Sequence, residues 1–289
     1  MKPRPFEYLA PSSLDEALGQ LAERGDRARV LAGGQSLVPL LNLRLASPEA
    51  LIDLNRIGSL AFVEEREGGI AVGAMTRQRE LERSSLVRDR MPLLPAALRH
   101  VAHFQIRNRG TVGGSVAHAD AAAELPALLR AMDGHVIARS ARGGERRISA
   151  GELFDRHLTT SMSPDEILTE VFFPDLPSRS GWGFHEFAKR HGDTALAGAA
   201  AIVAIREGRI ASAAIALLGA AGTPIRALRT ERALTDTAVT DDIGAAVQET
   251  VREEVDPVAD VHGSAEYRRY LAGVVARRAI ADAIERAPR

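Results

Sequence analysis

The residues best suited to chemistry lie in two glycine clusters, Gly33-Gly34-Gln35-Ser36 and Gly110-Thr111-Val112-Gly113-Gly114-Ser115. Adjacent glycines let a backbone approach a ligand closely and tolerate positive φ at little cost. Successive N–H groups in such a turn form a nest for anionic oxygens, and the hydroxyls of Ser36, Thr111 and Ser115 add donors. One such loop reads equally as a tight structural turn. Two in one chain suit a ligand whose pyrophosphate is held from both sides. The spacing is neither G-x-G-x-x-G nor a P-loop, so the two usual nucleotide signatures are absent. Arg107 and Arg109 beside the second cluster can neutralise phosphate or pair with carboxylates, and the sequence does not separate these readings.

Other candidates carry less. His185-Glu186 with His191 suggests a zinc motif, but H-E-x-x-H needs histidines four apart on one helical face and these are six apart. Asp120 and Glu124 are four apart at a helix start, hence on one face. As an acid–base pair for glycoside chemistry they lack supporting aromatics, which make up only 4% of the chain. His100, His103 and His118 flank the second cluster and either contact a ligand or pack and hydrogen-bond structurally.

Several elements must position these loops. Ser13 caps a helix with apolar Leu14, Ala17, Leu18 and Leu21, ended by Gly25. Arg29–Ala32 reads as a buried strand running into the first cluster, followed by helix-like Leu37–Leu45. Ala50–Asn55, Gly69–Ala74, His135–Arg139 and Ile167–Phe173 read as strands, Leu93–Val101 and Ala121–Met132 as helices, and His103–Ala119 as loop. Pro174–Gly183 has the composition of a domain junction. Beyond it, Ala197–Arg206 and Ile210–Leu218 are spaced as a hairpin about Glu207-Gly208-Arg209. Asp241–Glu254 and Ser264–Glu285 are amphipathic helices, the second presenting Tyr267, Leu271, Val274, Val275 and Ile280. The alternation predicts mixed α/β structure in the first part and α+β in the second, with domains at 1–176 and 177–289.

The bulk composition narrows the function classes. With 289 residues, 45% of them hydrophobic, two domains are expected. Lys+Arg 37 against Asp+Glu 38 leaves no basic surplus for a phosphate backbone, so no nucleic-acid partner is expected. The chain contains no cysteine, which excludes disulfides, thiolate nucleophiles and cysteine-bound iron–sulfur clusters. No stretch has the roughly 20 apolar residues of a spanning helix, and Met1–Ser13 has no apolar leader core. A cytoplasmic protein with no membrane span is expected.

Ala32-Gly33-Gly34-Gln35-Ser36 followed by Leu37–Leu45 resembles the first flavin loop of the medium subunits of molybdenum hydroxylases, the carbon monoxide dehydrogenase and xanthine dehydrogenase relatives. Ile106–Ser115 resembles their second loop, and Ala117-His118-Ala119-Asp120 and Glu124-Leu125-Pro126 continue the likeness. Phe184–Phe187 through Asp193 resembles the opening of their C-terminal domain, and Ser264–Arg268 the start of their last helix.

This resemblance implies a two-part FAD-binding domain of the vanillyl-alcohol-oxidase type plus a small C-terminal α+β domain with an antiparallel sheet and helices. It implies that Ala32, Gly33, Gly34, Gln35 and Ser36, with Arg29, Val30 and Leu31 leading into them, hold FAD together with Gly110, Thr111, Val112, Gly113, Gly114 and Ser115. Val101 and Ala102 would lie beside the cofactor, as would His118, and Glu124 would accept hydrogen bonds from its hydroxyls. Leu168, His185 and Glu186 match positions near the flavin, whereas Thr194 stands where many relatives carry an aromatic residue. No residue here is implied as catalytic toward the organic substrate.

By the same resemblance, molybdenum cofactor and iron–sulfur clusters belong to partner subunits, a large and a small one, in a dimer of heterotrimers with an external electron acceptor. Two other functions stay open: a self-sufficient FAD-dependent oxidase or dehydrogenase, and a non-catalytic assembly subunit with an empty flavin site.

Overall fold

The computed structural model describes residues 2–240 and 242–288; Asp241, where the sequence begins one tail helix, lies outside them. Three sheets of more than two strands divide the chain. The first is parallel, with Ala50–Asp53 between Glu7–Leu9 and Ala28–Leu31. The helix Leu14–Arg24 buries Ala17, Leu18 and Leu21 against it. Ser13 Oγ accepts from the Glu16 N–H at 3.2 Å, and the Glu16 carboxylate accepts from the Ser12 N–H at 2.8 Å. Gly25, at φ +52°, ends that helix.

The second sheet is antiparallel, ordered Val63–Arg66, Gly69–Gly73, Glu166–Pro174, His135–Ser140, Gly144–Ser149. Its central strand bulges between Leu168 and Glu170. Leu93–Leu98, Val112–His118 and Glu124–Ala131 cover one face, where Leu94, Leu98, Leu125, Leu128, Val136, Val171 and Phe173 are buried.

The third sheet runs Ser180–Phe187, Ala197–Arg206, Arg209–Leu218, Ile225–Arg226, all antiparallel. Glu207 and Gly208 turn the hairpin with φ +52° and +72°, so Arg209 belongs to the strand and not to the turn. The 22-residue helix Ala265–Arg286 lies on this sheet. A Cβ on Gly181 or Gly183 would overlap the carbonyls of Ala283 and Ala279, so the strand touches the helix backbone. Small residues therefore make that contact. Ala272, Gly273, Ala276, Ala279 and Ala283 are buried, while Tyr267 is 42% exposed.

Two expectations need correction. His103–Ala119 is not loop but carries the helices Phe104–Arg107 and Val112–His118. The glycine pair Gly113-Gly114 lowers helix propensity enough to hide the second. Val63–Arg66 and Gly144–Ser149 are additional strands, and both are largely exposed and charged. Among the described residues, no helix is long and apolar enough to cross a membrane.

Candidate functional site

The two glycine clusters converge. The first leaves the parallel sheet after Leu31, and the second begins where Gly110 accepts from the Gln78 N–H at 2.9 Å. A Cβ on Gly33 would overlap the Arg109 carbonyl oxygen and stand 2.8 Å from Gly110 Cα. Beside this contact opens a cleft of about 590 Å³, within the size range of ligand sites.

The loops differ in what they offer. The N–H groups of Gly33, Gly34, Gln35 and Ser36 meet no acceptor among the described residues. Gly34, at φ +74°, turns the chain at this point. Gln35 Nε2 donates to the Gly33 carbonyl at 2.9 Å and stiffens the turn. In the second loop most donors are spent. Val112 N–H goes to Thr76 O at 3.0 Å, Gly113 N–H to Ala74 O at 2.9 Å, Gly114 N–H to Thr111 Oγ1 at 3.0 Å and Ser115 N–H to Thr111 O at 3.1 Å. The second loop is thus largely a rigid wall with the Ser115 side chain on it, and the run of unpaired N–H groups is in the first loop.

The glycines of that wall are packing glycines. A Cβ on Gly113 would overlap the Ala74 side chain, and one on Gly114 would lie 2.6 Å from Thr111 Oγ1.

Most expected residues line this cleft. Arg29, Val30, Ala32, Gly33, Gly34, Gln35 and Ser36 form one side. Gly110, Thr111, Gly113, Gly114, Ser115 and His118 form another, with Val101, Ala102, Glu124 and Leu168 closing it. Four do not line it. Leu31 packs over Gly34, and Val112 is fully buried in the core of the antiparallel sheet. His185 and Glu186 fall on opposite faces of strand Ser180–Phe187, because side chains alternate. His185 faces the last helix, with Nε2 3.3 Å from Asp282 Oδ2. Glu186 shares the strand face of Phe184, which packs into the core of the antiparallel sheet, and its carboxyl meets that of Glu124.

This carboxyl pair is the unusual electrostatic feature of the site. Burial pushes both groups above the usual glutamate range, and the Glu124 carboxyl raises Glu186 further. Asp120 raises Glu124 further, whereas its own backbone N–H and the charge of Arg107 lower it. The hydrogen bond between them favours an ionised Glu124 and a protonated Glu186. His118, pushed below its ordinary value chiefly by burial, enters the site as a neutral imidazole at pH 7.

Several functional residues carried no sequence signal. Arg77 donates from Nη1 to Arg109 O at 2.6 Å and from Nη2 to Asn55 Oδ1 at 2.6 Å. Asn55 Nδ2 donates to Ala32 O at 2.9 Å and to Asp53, whose other oxygen accepts from Tyr8. One guanidinium therefore ties the second loop to the first. Arg107 does not reach toward phosphate. It is buried, pairs with Glu82 at 2.9 Å and donates to Val101 O at 2.7 Å and Ala102 O at 3.1 Å, fixing the cleft's rim. Gln78 Oε1 is buried on the cleft wall, with no donor reaching it among the described residues. Only Asp53-Leu54-Asn55 offered a clue, as an Asx turn with Asn55 N–H to Asp53 Oδ1 at 2.9 Å.

Unpaired backbone N–H groups, a cradle that a Cβ would fill and an orphaned acceptor at Gln78 fit a dinucleotide with hydroxyl and amide donors. Residues 4–176 match the family described as FAD binding domain in molybdopterin dehydrogenase, and 182–283 the CO dehydrogenase flavoprotein C-terminal domain. The chain is 46% identical to the 6-hydroxypseudooxynicotine dehydrogenase complex subunit alpha of Paenarthrobacter nicotinovorans, over 99% of this chain and 97% of that one. It is similar to a chain of carbon monoxide dehydrogenase from Hydrogenophaga pseudoflava, with TM-score 0.96, 36% identity and full coverage of both. Quinoline 2-oxidoreductase from Pseudomonas putida 86 also superimposes, with TM-score 0.93, 38% identity and 99% of both chains covered. The chain therefore belongs to the FAD-binding medium subunits of the molybdenum hydroxylases, as an oxidoreductase subunit of mixed α/β fold.

Proposed function

We propose that this chain is the electron-transfer subunit of a molybdenum-dependent dehydrogenase. It holds one FAD in the cleft between its glycine loops, takes electrons from a small iron–sulfur partner and passes them to an external acceptor. FAD supplies the ability to accept and release electrons singly or in pairs. The observation that carries the reading is the convergence of both loops on one cleft with the free N–H groups of Gly33–Ser36 facing it.

Each group has a definable task. Gly33, Gly34, Gln35 and Ser36 hold pyrophosphate oxygens, Ser115 adds a hydroxyl, and Gly110–Gly114 keep the wall rigid. Arg29, Val30, Val101, Ala102, His118 and Leu168 shape the remaining cleft, and Glu124 accepts from cofactor hydroxyls. Leu31, Val112 and His185 support this site from behind. Absence of cysteine gives the chain no thiolate for a cluster, which supports placing clusters and molybdenum in separate small and large subunits. We further propose domains 1–176 and 177–289, a dimer of heterotrimers and a cytoplasmic location.

The test is co-purification of the complex from its host. Flavin on this chain, with iron and molybdenum on separate partners and flavin reduction that requires the iron–sulfur partner, is expected. Substrate-driven flavin reduction by this chain alone would favour a self-sufficient flavoenzyme and overturn the relay.

A further inference from the structure

Glu186 is the one expected site residue whose position calls for more than cofactor contact. Its Oε2 is buried with no donor reaching it among the described residues, and the group it faces is another carboxyl, Glu124. Glu124 opens the helix Glu124–Ala131 and lines the cleft, whereas Glu186 comes from the C-terminal sheet. Two carboxylates at hydrogen-bond range cannot both ionise cheaply, so the pair keeps one proton between them.

We propose that Glu124 and Glu186 form a single proton-sharing pair that makes cofactor retention proton-linked. Glu124 serves as the anionic acceptor toward the cleft, and Glu186 carries the proton that holds it in place. This rests on the FAD site proposed above.

The surroundings favour this division. Facing Glu124 are Asp120, from the turn before its helix, and Arg107, from the helix Phe104–Arg107. On strand Ala197–Arg206 the residue opposite Glu186 is Gly198, which carries no charge. The last helix directs Asp282 to His185 on the other face of the strand. Arg107 thus acts on Glu124 alone, no cation among the described residues acts on Glu186, and burial, the larger effect, raises both groups.

The consequence is a two-sided dependence. In acid the pair gains a second proton, which must leave before Glu124 can accept from the cofactor. In alkali the pair loses its proton and two facing anions part the domains at the cleft wall. One proton on each side limits each limb to about tenfold in affinity per pH unit.

The test is FAD affinity of the full chain, stripped of flavin, from pH 5 to 9.5, with proton exchange measured calorimetrically in two buffers. We expect affinity to fall toward both ends, with proton release on binding in acid and uptake in alkali. Glu186→Gln, whose amide donates at every pH, should lose the alkaline limb and keep the acid one. Glu124→Gln should bind weakly and without pH dependence. Circular dichroism and melting temperature establish that each variant folds. A flat wild-type profile without proton exchange, or an alkaline limb unchanged in Glu186→Gln, overturns the proposal while leaving the FAD site standing. Failure of the folded wild type to bind FAD at any pH overturns both.

Discussion

Gly33 lies against the backbone carbonyl of Arg109, closer than any side chain would permit, and this contact makes the two glycine loops one site. It shifts the role of the glycine from meeting the ligand to letting the loops meet each other.

Gly33→Ala should therefore cost stability as well as cofactor. Overpacking of this kind costs about 1–3 kcal/mol, and separation of the loops should leave a purified chain with little bound flavin. Gly58→Ala is the control, because nothing lies within 4 Å of its Cβ position. Urea unfolding and flavin content on both variants decide the matter. Full flavin in a Gly33→Ala chain of wild-type stability would show that the loops need not touch.

Arg77 is the second tie between the loops. Its fork spans Arg109 O and Asn55 Oδ1 at 2.6 Å each, a geometry that a lysine ammonium cannot copy. Arg77→Met and Arg77→Lys should both weaken FAD binding about tenfold or more, since charged hydrogen bonds contribute about 1.5–3 kcal/mol apiece. Fluorescence titration measures this. Coupling between Arg77→Met and Asn55→Leu in a double-mutant cycle is also expected.

The sequence announced the loops but not these ties. Glycine clusters are local signals, whereas the partners of Gly33 and Arg77 are brought together only by the fold. Strand alternation separated His185 from Glu186, two neighbours that a motif treats as a unit. The helix Val112–His118 hid behind Gly113-Gly114, which are there because Ala74 and Thr111 crowd them. In the last helix the hydrophobic pattern pointed to Tyr267 and Val274, but the tight contact with Gly181 and Gly183 is made by alanines. The capped first helix, with a reciprocal Ser13–Glu16 region and an apolar face, needed no tertiary partner to be read.

Arg107 and Glu82 form a buried ion pair, each side chain 9% exposed. Arg107→Ala should cost about 3–5 kcal/mol by leaving Glu82 buried without Arg107, measured by urea unfolding at pH 7. Burial raises Glu82, but hydrogen bonds from Arg79 and Arg107 outweigh it and hold the carboxyl below its ordinary value. The folded chain thus binds fewer protons there, so its contribution is present above the ordinary glutamate range and is lost as pH falls through the lowered value. Glu82→Gln should remove that acid-side loss.

Glu186 has the opposite sign. Protonated when folded and ionised when unfolded, it gives the folded state the larger proton count, so stability falls as pH rises above the ordinary glutamate range. Glu186→Gln should match the wild type in acid and exceed it increasingly toward pH 9. Melting temperatures of both chains at pH 5, 7 and 9 check this, and parallel curves would contradict it.

The most direct test of the central claim is the absorption spectrum of the purified full chain, with the released flavin identified by mass. The account predicts one FAD per chain in wild type and its loss in folded Gly33→Ala. A folded wild-type chain that is colourless and stays so after incubation with FAD would contradict it.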